Sequence, residues 1–303
     1  MRDAPTPPLP AVRLTARAAD TLMEWSTGQR TRPYGTPDGP SRPPAEAPLP
    51  DEVAQAVTRF GAQLGAAGAL LVSGLPVPAD LPATPDRPYP LIRRSVGTEP
   101  LLQAVADPVG EIFGYADWHD GDRVQNLYPL PEQARGQNAS NSVRLEMHTE
   151  TAFRPDTPDA LALYCLRGDP RAQTVLCDLA RVCAGLPAAQ AEALAEPAYG
   201  FALPDGTLTA PLPVIGRWRD RPRYHYADAL VPHDAAHAGP LEALRTAVRE
   251  TATRIVLRAG DLLLLDNVHM VHGRTAYRPR YDGTDRWLQR CLVHAPATAG
   301  PLG

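Results

Sequence analysis

His148 and Glu150 stand two positions apart in the stretch Arg144-Leu-Glu-Met-His148-Thr-Glu150-Thr-Ala-Phe153. In an extended strand side chains alternate faces, so residues two apart point the same way and the imidazole lies beside the carboxylate. That pair is half of a metal clip. A third ligand has to come from elsewhere, and the best source is Gly260-Asp-Leu-Leu-Leu-Leu-Asp-Asn267-Val-His269-Met-Val-His272-Gly273-Arg274, which offers two more imidazoles. Two His and one carboxylate on one face of an iron leave positions open for a bidentate co-substrate and then dioxygen, the requirement of an oxygenase. The same three ligands with a bound water would suit a zinc hydrolase. Arg286 follows His272 by 14 residues. A fixed guanidinium suits the far carboxylate of a 2-oxoacid such as 2-oxoglutarate, chelated through its C1 carboxylate and keto oxygen. A hydrolase has no use for it.

These residues need a scaffold, and composition allows a large one. The chain has 303 residues, 44% hydrophobic and 21% charged, which suits one globular unit with insertions. The expected domain is 1–303, with a helical and Pro-rich part over 1–110 packed on a core over 111–303 that carries lid loops. A net charge of -4 without long basic runs argues against a nucleic-acid partner. Apolar runs such as Leu262 to Leu265 are far shorter than a membrane span, and the N-terminal residues lack the apolar core of a signal peptide. The expectation is a cytoplasmic protein with no membrane partner. Its four cysteines show no C-x-x-C spacing and read as buried thiols.

Along the chain, residues 1 to about 12 read as loose. A helix is expected over Leu14 to Trp25, then a Pro/Gly-rich connector over Gly28 to Pro50. From Asp51, the apolar residues Val53, Val57, Phe60 and Leu64 recur at helical spacing. A short strand around residues 67–75, a Pro-rich connector over 77–90 and a helix around 100–105 follow. Residues 113–147 are polar with aromatics and read as lids over a site. Strands are expected at 159–166, 174–178, 199–203, 214–218, 223–230, 254–257, 261–266 and 287–294. Helices are expected at 179–194, interrupted near Gly185-Leu-Pro187, and at 241–253. Many short strands between turns, with helices concentrated early, predict a mostly β fold with flanking helices, an antiparallel barrel or double-sheet jelly roll.

Several motifs carry a family resemblance: His148-Thr-Glu-x-Ala-Phe153, Leu163-Tyr-Cys-Leu-Arg-Gly-Asp169, Asp261-Leu-Leu-Leu-Leu-Asp-Asn-x-x-x-x-His-Gly-Arg274, and Tyr281-Asp-Gly-Thr-Asp-Arg-Trp-Leu-Gln-Arg290. The chain resembles the clavaminate synthase-like branch of the iron(II)/2-oxoglutarate-dependent oxygenases, the group of asparagine oxygenase and the arginine hydroxylases of peptide-antibiotic pathways. The match covers the C-terminal half well and the first 110 residues only in general layout. It implies a double-stranded β-helix core (jelly roll, cupin-like), with Fe(II), 2-oxoglutarate and O2 as cofactor and co-substrates. Carried over by position, His148, Glu150 and His272 would hold iron, leaving His269 outside the ligand set. Arg286 would clamp the distal carboxylate of 2-oxoglutarate, with a hydrogen bond from Thr174. Arg290 would grip the carboxylate of an amino-acid substrate. Glu150 also separates the chain from the halogenases of this superfamily, which replace that carboxylate with a small residue.

Substrate identity is less legible. Arginine hydroxylases of this group present an acidic pair, and the matching stretch here is Tyr224-His-Tyr226-Ala-Asp228-Ala-Leu230, with Tyr226 in place of one acid. Asp228 alone can pair with a cation or accept from an amide. Gln125, or Glu150 through its second oxygen, would take the α-amine. The expectation is a dioxygenase that hydroxylates a free polar or basic L-amino acid, at C3, in natural-product biosynthesis. The alternatives are a carrier-bound amino acid, desaturation or ring closure by the same chemistry, a zinc hydrolase, and a non-catalytic binding module.

Overall fold

A computed structural model of the chain describes residues 9–29, 36, 46–88, 95–133, 142–202 and 207–296. Residues 1–8 of the start that reads as loose, 30–35 and 37–45 of the connector expected over Gly28 to Pro50, 89 and 90 of the connector expected over 77–90, and Gly136 to Asn141 of the polar stretch lie outside those residues. The end of the expected loose start, Ala11–Arg13, is a strand.

β1 (Ala11–Arg13) leads into α1 (Ala16–Thr27), whose N-terminus is capped by the Thr15 hydroxyl accepting from the Ala18 amide at 3.2 Å. α2 (Asp51–Ala62) begins after Pro50 with two acids in its first turn and buries Val53, Val57 and Phe60 on one face. β2 (Ala69–Ser73), α3 (Glu99–Ala106), β3 (Glu111–Phe113), β4 (Gln125–Leu127) and β5 (Leu145–His148) follow. β6 (Ala160–Arg167) and β7 (Thr174–Asp178) lie before α4 (Leu179–Ala184) and α5 (Ala188–Ala195), two helices separated at the expected break. β8 (Tyr199–Phe201), β9 (Ile215–Trp218), β10 (Arg221–Tyr224) and β11 (Leu230–Pro232) precede α6 (Ala238–Thr251). β12 (Thr253–Ile255), β13 (Leu262–Asp266), β14 (Met270–Arg274) and β15 (Trp287–His294) complete the order. The strand expected over 223–230 is two pieces, because the chain turns at Tyr226–Ala229 to bring Asp228 to the site.

Two sheets face each other. The major one has seven strands in the order β1-β2-β13-β6-β15-β3, with β4 also pairing with β15, and every pair but β1–β2 is antiparallel. The minor one is β12-β7-β14-β5, antiparallel throughout. The sheets do not close into a barrel, and the fold is the double-sheet jelly roll.

Alternation along the strands explains the layers. In β6 and β13, Leu161, Leu163, Cys165, Leu263 and Leu265 face inward against Leu176 and Met270 of the minor sheet. The residues between them, Ala162, Tyr164, Leu166, Leu262 and Leu264, face α1, α2 and α3 through Leu22, Val53, Val57, Leu101 and Leu102. A strand covered on both faces reads as a continuous apolar run, which is the sequence of β13. On the far side of the minor sheet, Cys177 and Val271 pack against Leu179, Val182, Leu194, Leu241, Leu244 and Val248 of α4, α5 and α6. The result is helices, sheet, sheet, helices, with the predicted site residues at one end of the space between the sheets. No helix of the described residues is long and apolar enough to cross a membrane.

Candidate metal centre and co-substrate site

β5 and β14 are neighbours in the minor sheet, and their register pairs His148 directly with His272. Opposed residues of an antiparallel pair share a face, and the two imidazole centroids stand 4.4 Å apart. Gly273 permits this approach, since a Cβ there would lie 2.7 Å from the Leu145 carbonyl oxygen. The apolar strand expected over 261–266 does not run on to His272. The chain turns at Asn267–His269 and crosses to the other sheet, so His272 lies in the middle of β14.

Glu150 also arrives differently. β5 ends at His148, and Glu150 lies beyond it in a turn where Thr149 donates to the Tyr226 carbonyl at 2.8 Å and Thr151 takes a φ of 49°. Asn267 pins that turn: its side-chain oxygen accepts from the Glu150 amide at 2.9 Å, and its side-chain nitrogen donates to the Glu150 and Pro158 carbonyls. Ligand atoms of His148, Glu150 and His272 thereby come within 4.8 Å of one another. His148 Nδ1 lies 2.8 Å from the Glu146 carbonyl, which fixes the proton there and leaves Nε2 for a metal. Burial, reinforced by His272, pulls the His148 pKa down to about 4, so the ring is neutral at pH 7. Burial alone would raise Glu150, but Arg290 and the two imidazoles hold it well below the usual carboxylate range. Two imidazoles and an ionised carboxylate are the donor set iron(II) takes.

His269 stands outside this group. Its Nδ1 lies 2.9 Å from Asp178 and its Nε2 3.1 Å from Asp266. Burial disfavours charge there, but the two carboxylates raise its pKa to about 9. The Gly68 amide also approaches Nε2, at 3.3 Å; a doubly protonated ring donates from both nitrogens, so the carboxylate is the partner.

Beside the triad lies an inner cavity of roughly 40 Å³ lined by Leu163, Thr174, Arg274, Arg286 and Leu288 together with His148, Glu150 and His272. Arg286 is buried, burial lowers its pKa, and it forms no ion pair among the described residues. A buried guanidinium without a counter-charge is costly, and an entering carboxylate removes the cost. Arg274, which the sequence offers only as part of a motif, adds a second buried cation. It donates to the Val143 carbonyl at 2.9 Å, and burial with the nearby Arg286 pulls its pKa to about 10. The donor set and the two buried guanidinium groups match the chemistry of an iron-bound dicarboxylic 2-oxoacid.

On its outer side the triad meets a cleft of about 1080 Å³, whose wall includes Trp118, Glu146, Phe153, Asp228 and Arg290. Arg290, in β15, shares an inward face with Leu288 and Leu292. It donates to Glu150 at 2.8 Å from Nη1 and to the Gln125 side-chain oxygen at 2.9 and 2.6 Å from Nε and Nη2. Gln125 sits on β4, inside the major sheet and not in a lid, and its nitrogen faces the Asp122 carbonyl at 3.4 Å. Both residues expected around the α-amine are therefore partners of Arg290, and the second Glu150 oxygen is the acceptor left over. Asp228 accepts from the Tyr226 hydroxyl and lies against Glu146. Tyr226 thus orients Asp228 with a neutral donor, while Glu146 supplies a second acid beside it. Trp118, whose ring lies over Arg290, and Asn267 have no one-dimensional signal beyond sitting in a polar aromatic stretch and in a motif.

Comparison with known proteins agrees with this geometry. Residues 32–292 match the family described as taurine catabolism dioxygenase TauD, TfdA family. The chain is 31% identical over 266 residues to L-lysine 3-hydroxylase of Catenulispora acidiphila, covering 83% of this chain and 74% of that protein. It superimposes on asparagine oxygenase in complex with Fe(II), 2S,3S-3-hydroxyasparagine and succinate with a TM-score of 0.85 at 31% identity, over 94% of this chain and 93% of that one. It also superimposes on the non-heme iron oxygenase OrfP in complex with Fe and alpha-ketoglutaric acid, with a TM-score of 0.82 at 28% identity, over 95% and 94% of the two chains. The chain therefore belongs to the TauD/TfdA family of iron(II)- and 2-oxoglutarate-dependent dioxygenases.

Proposed function

We propose that this dioxygenase hydroxylates a free L-amino acid with a polar or basic side chain, at C3, in natural-product biosynthesis. The observation that carries the reading is Arg290. Its side chain is 3% exposed, yet among the described residues only three of its five N–H bonds have protein partners, and it lines both the inner cavity and the outer cleft. A buried guanidinium with donors to spare, beside a metal clip, is suited to an α-carboxylate.

In this reading His148, Glu150 and His272 hold iron, and Arg286 with the Thr174 hydroxyl seats the distal carboxylate of 2-oxoglutarate. Iron with its 2-oxoacid and O2 supplies the oxidant for a C–H bond. The chain supplies position. Arg290 holds the substrate carboxylate, the free Glu150 oxygen takes the α-amine, and Asp228 meets the far end of the side chain. Gripping carboxylate and amine near the triad presents the carbons next to Cα first, which favours C3. Hydroxylation of lysine and asparagine at C3 by the relatives supports the same site of attack. Four buried, unpaired cysteines suit a reducing cytoplasm, and we treat the chain as one oxygenase domain.

The test is a mass-spectrometric screen of amino acids with iron(II), ascorbate and 2-oxoglutarate for a gain of one oxygen. A product is expected with a polar or basic amino acid; turnover with none would sink the reading. With the substrate in hand, Arg290→Ala is expected to weaken amino-acid capture by ~10-fold or more, leaving slow 2-oxoglutarate decay without product.

A further inference from the structure

Arg290 works only if its two remaining N–H bonds stay aimed at the cleft, and one neighbour is placed to enforce that. The Arg290 guanidinium carbon lies 4.8 Å from the centre of the Trp118 ring. Glu150 and Gln125 hold the guanidinium through its N–H bonds, whereas the Trp118 ring presents its face to the cation. An aromatic face attracts the cation while consuming none of its donors. An acid in that place would compete with an incoming carboxylate.

The loop that carries Trp118 is built to hold it there. The connection from β3 to β4 supplies Trp118 and β4 opens on Gln125, so one segment reaches the same guanidinium twice. Between them His119, Asp120 and Gly121 have φ of 51°, 54° and 75°. Two consecutive non-glycine residues in the left-handed region carry strain that the surroundings must hold in place. The neck of the loop is tight: a Cβ on Gly114 would lie 2.4 Å from the Gly121 carbonyl oxygen. Next to Trp118, Asp117 pairs with Arg154 at 2.8 Å, and the Tyr115 hydroxyl meets the Thr151 hydroxyl at 3.1 Å and donates to the Asp156 carbonyl. Those partners belong to the turn that follows Glu150. Trp118 is thus latched to the segment that carries the metal-side carboxylate.

We propose that Trp118 is a positioning residue for substrate capture, holding the Arg290 guanidinium in the plane from which it receives the amino-acid carboxylate. The proposal rests on the reading of Arg290 given above. Wild type, Trp118→Ala and Trp118→Phe, each loaded with iron(II) and 2-oxoglutarate, are to be assayed with L-lysine, L-arginine, L-ornithine and L-asparagine, measuring hydroxylated product and succinate separately. The expected result for Trp118→Ala is a rise of about tenfold in amino-acid KM and a fall in product formed per succinate, with no comparable rise in the 2-oxoglutarate KM, and recovery of most of the loss by Trp118→Phe. An unchanged amino-acid KM and coupling ratio, an equal loss toward both substrates, or no rescue by Phe would overturn it. A second measurement needs no turnover: crystal structures of iron- and 2-oxoglutarate-loaded wild type and Trp118→Ala. Arg290 turned away from the cleft in the variant supports the proposal, and an unmoved Arg290 refutes it. Failure of wild type to oxidise any of the four amino acids counts against the substrate reading, while the crystallographic comparison still decides the role of Trp118.

Discussion

Arg286 is where a single residue carries most of the co-substrate argument. Its guanidinium is buried with no ion pair among the described residues, and Thr174 shares its cavity. Arg286→Gln keeps much of the volume and some hydrogen bonding but removes the charge and the bidentate fork. It is expected to raise the 2-oxoglutarate KM by ~10- to 100-fold, with a much smaller effect on amino-acid KM; steady-state kinetics with each substrate varied in turn checks this. Arg286→Lys is expected to restore only part of the loss, because a point charge cannot replace two parallel bonds. The sequence carries the types and spacing of these residues, which is why the clip and the clamp are legible there. It does not carry their partners. The pairing of Arg290 with Gln125 joins β15 to β4 across 165 positions of chain, and no local pattern records it.

Among the elements, the β13-to-β14 turn is the one that delivers His272, and its geometry is held by charge. The His269 imidazole bridges Asp266 at the end of β13 and Asp178, the residue that caps α4. Its folded pKa of about 9 lies above the ordinary 6.5. A raised folded pKa stabilises the fold fully below the unfolded value and loses that contribution as pH rises through the folded one. Stability is therefore expected to fall between about pH 6.5 and 9, by on the order of 2 kcal/mol. His269→Asn is expected to be less stable at pH 6 and to show a flatter profile; thermal melts of both proteins across that range check it. A wild-type profile no steeper than the variant's would contradict it. At this scale the apolar runs and turn residues mark most strands, and the helical spacing of Val53, Val57 and Phe60 marks α2. What the runs cannot show is that β13 and β14, separated by three residues, belong to different sheets. That depends on which face each strand buries, and both are buried on both faces.

For the molecule as a whole, the site is a joint between layers. His148, Glu150 and His272 come from the minor sheet and the turn beyond it, while Arg290 and Gln125 come from the major sheet and meet Glu150. Each sheet has its own apolar support from α1–α3 or α4–α6, so the fold does not need the metal to form. Iron(II) binding only the folded chain is expected to stabilise it by about 2.7 kcal/mol when free metal is roughly 100 times its Kd. Anaerobic thermal melts with and without iron are expected to show that upward shift in wild type and none in His148→Ala, with unchanged secondary structure by circular dichroism in the absence of metal. A shift that persists in the variant would place the iron elsewhere.

The most direct test of one iron held by these three side chains, with a 2-oxoacid chelated beside it, is an anaerobic titration of wild type and His272→Ala with iron(II) and 2-oxoglutarate, following the visible charge-transfer band of an iron-chelated 2-oxoacid. The account predicts a band that saturates at one iron per chain in wild type and is absent in His272→Ala. A band of equal strength in the variant, or none in wild type, would contradict it.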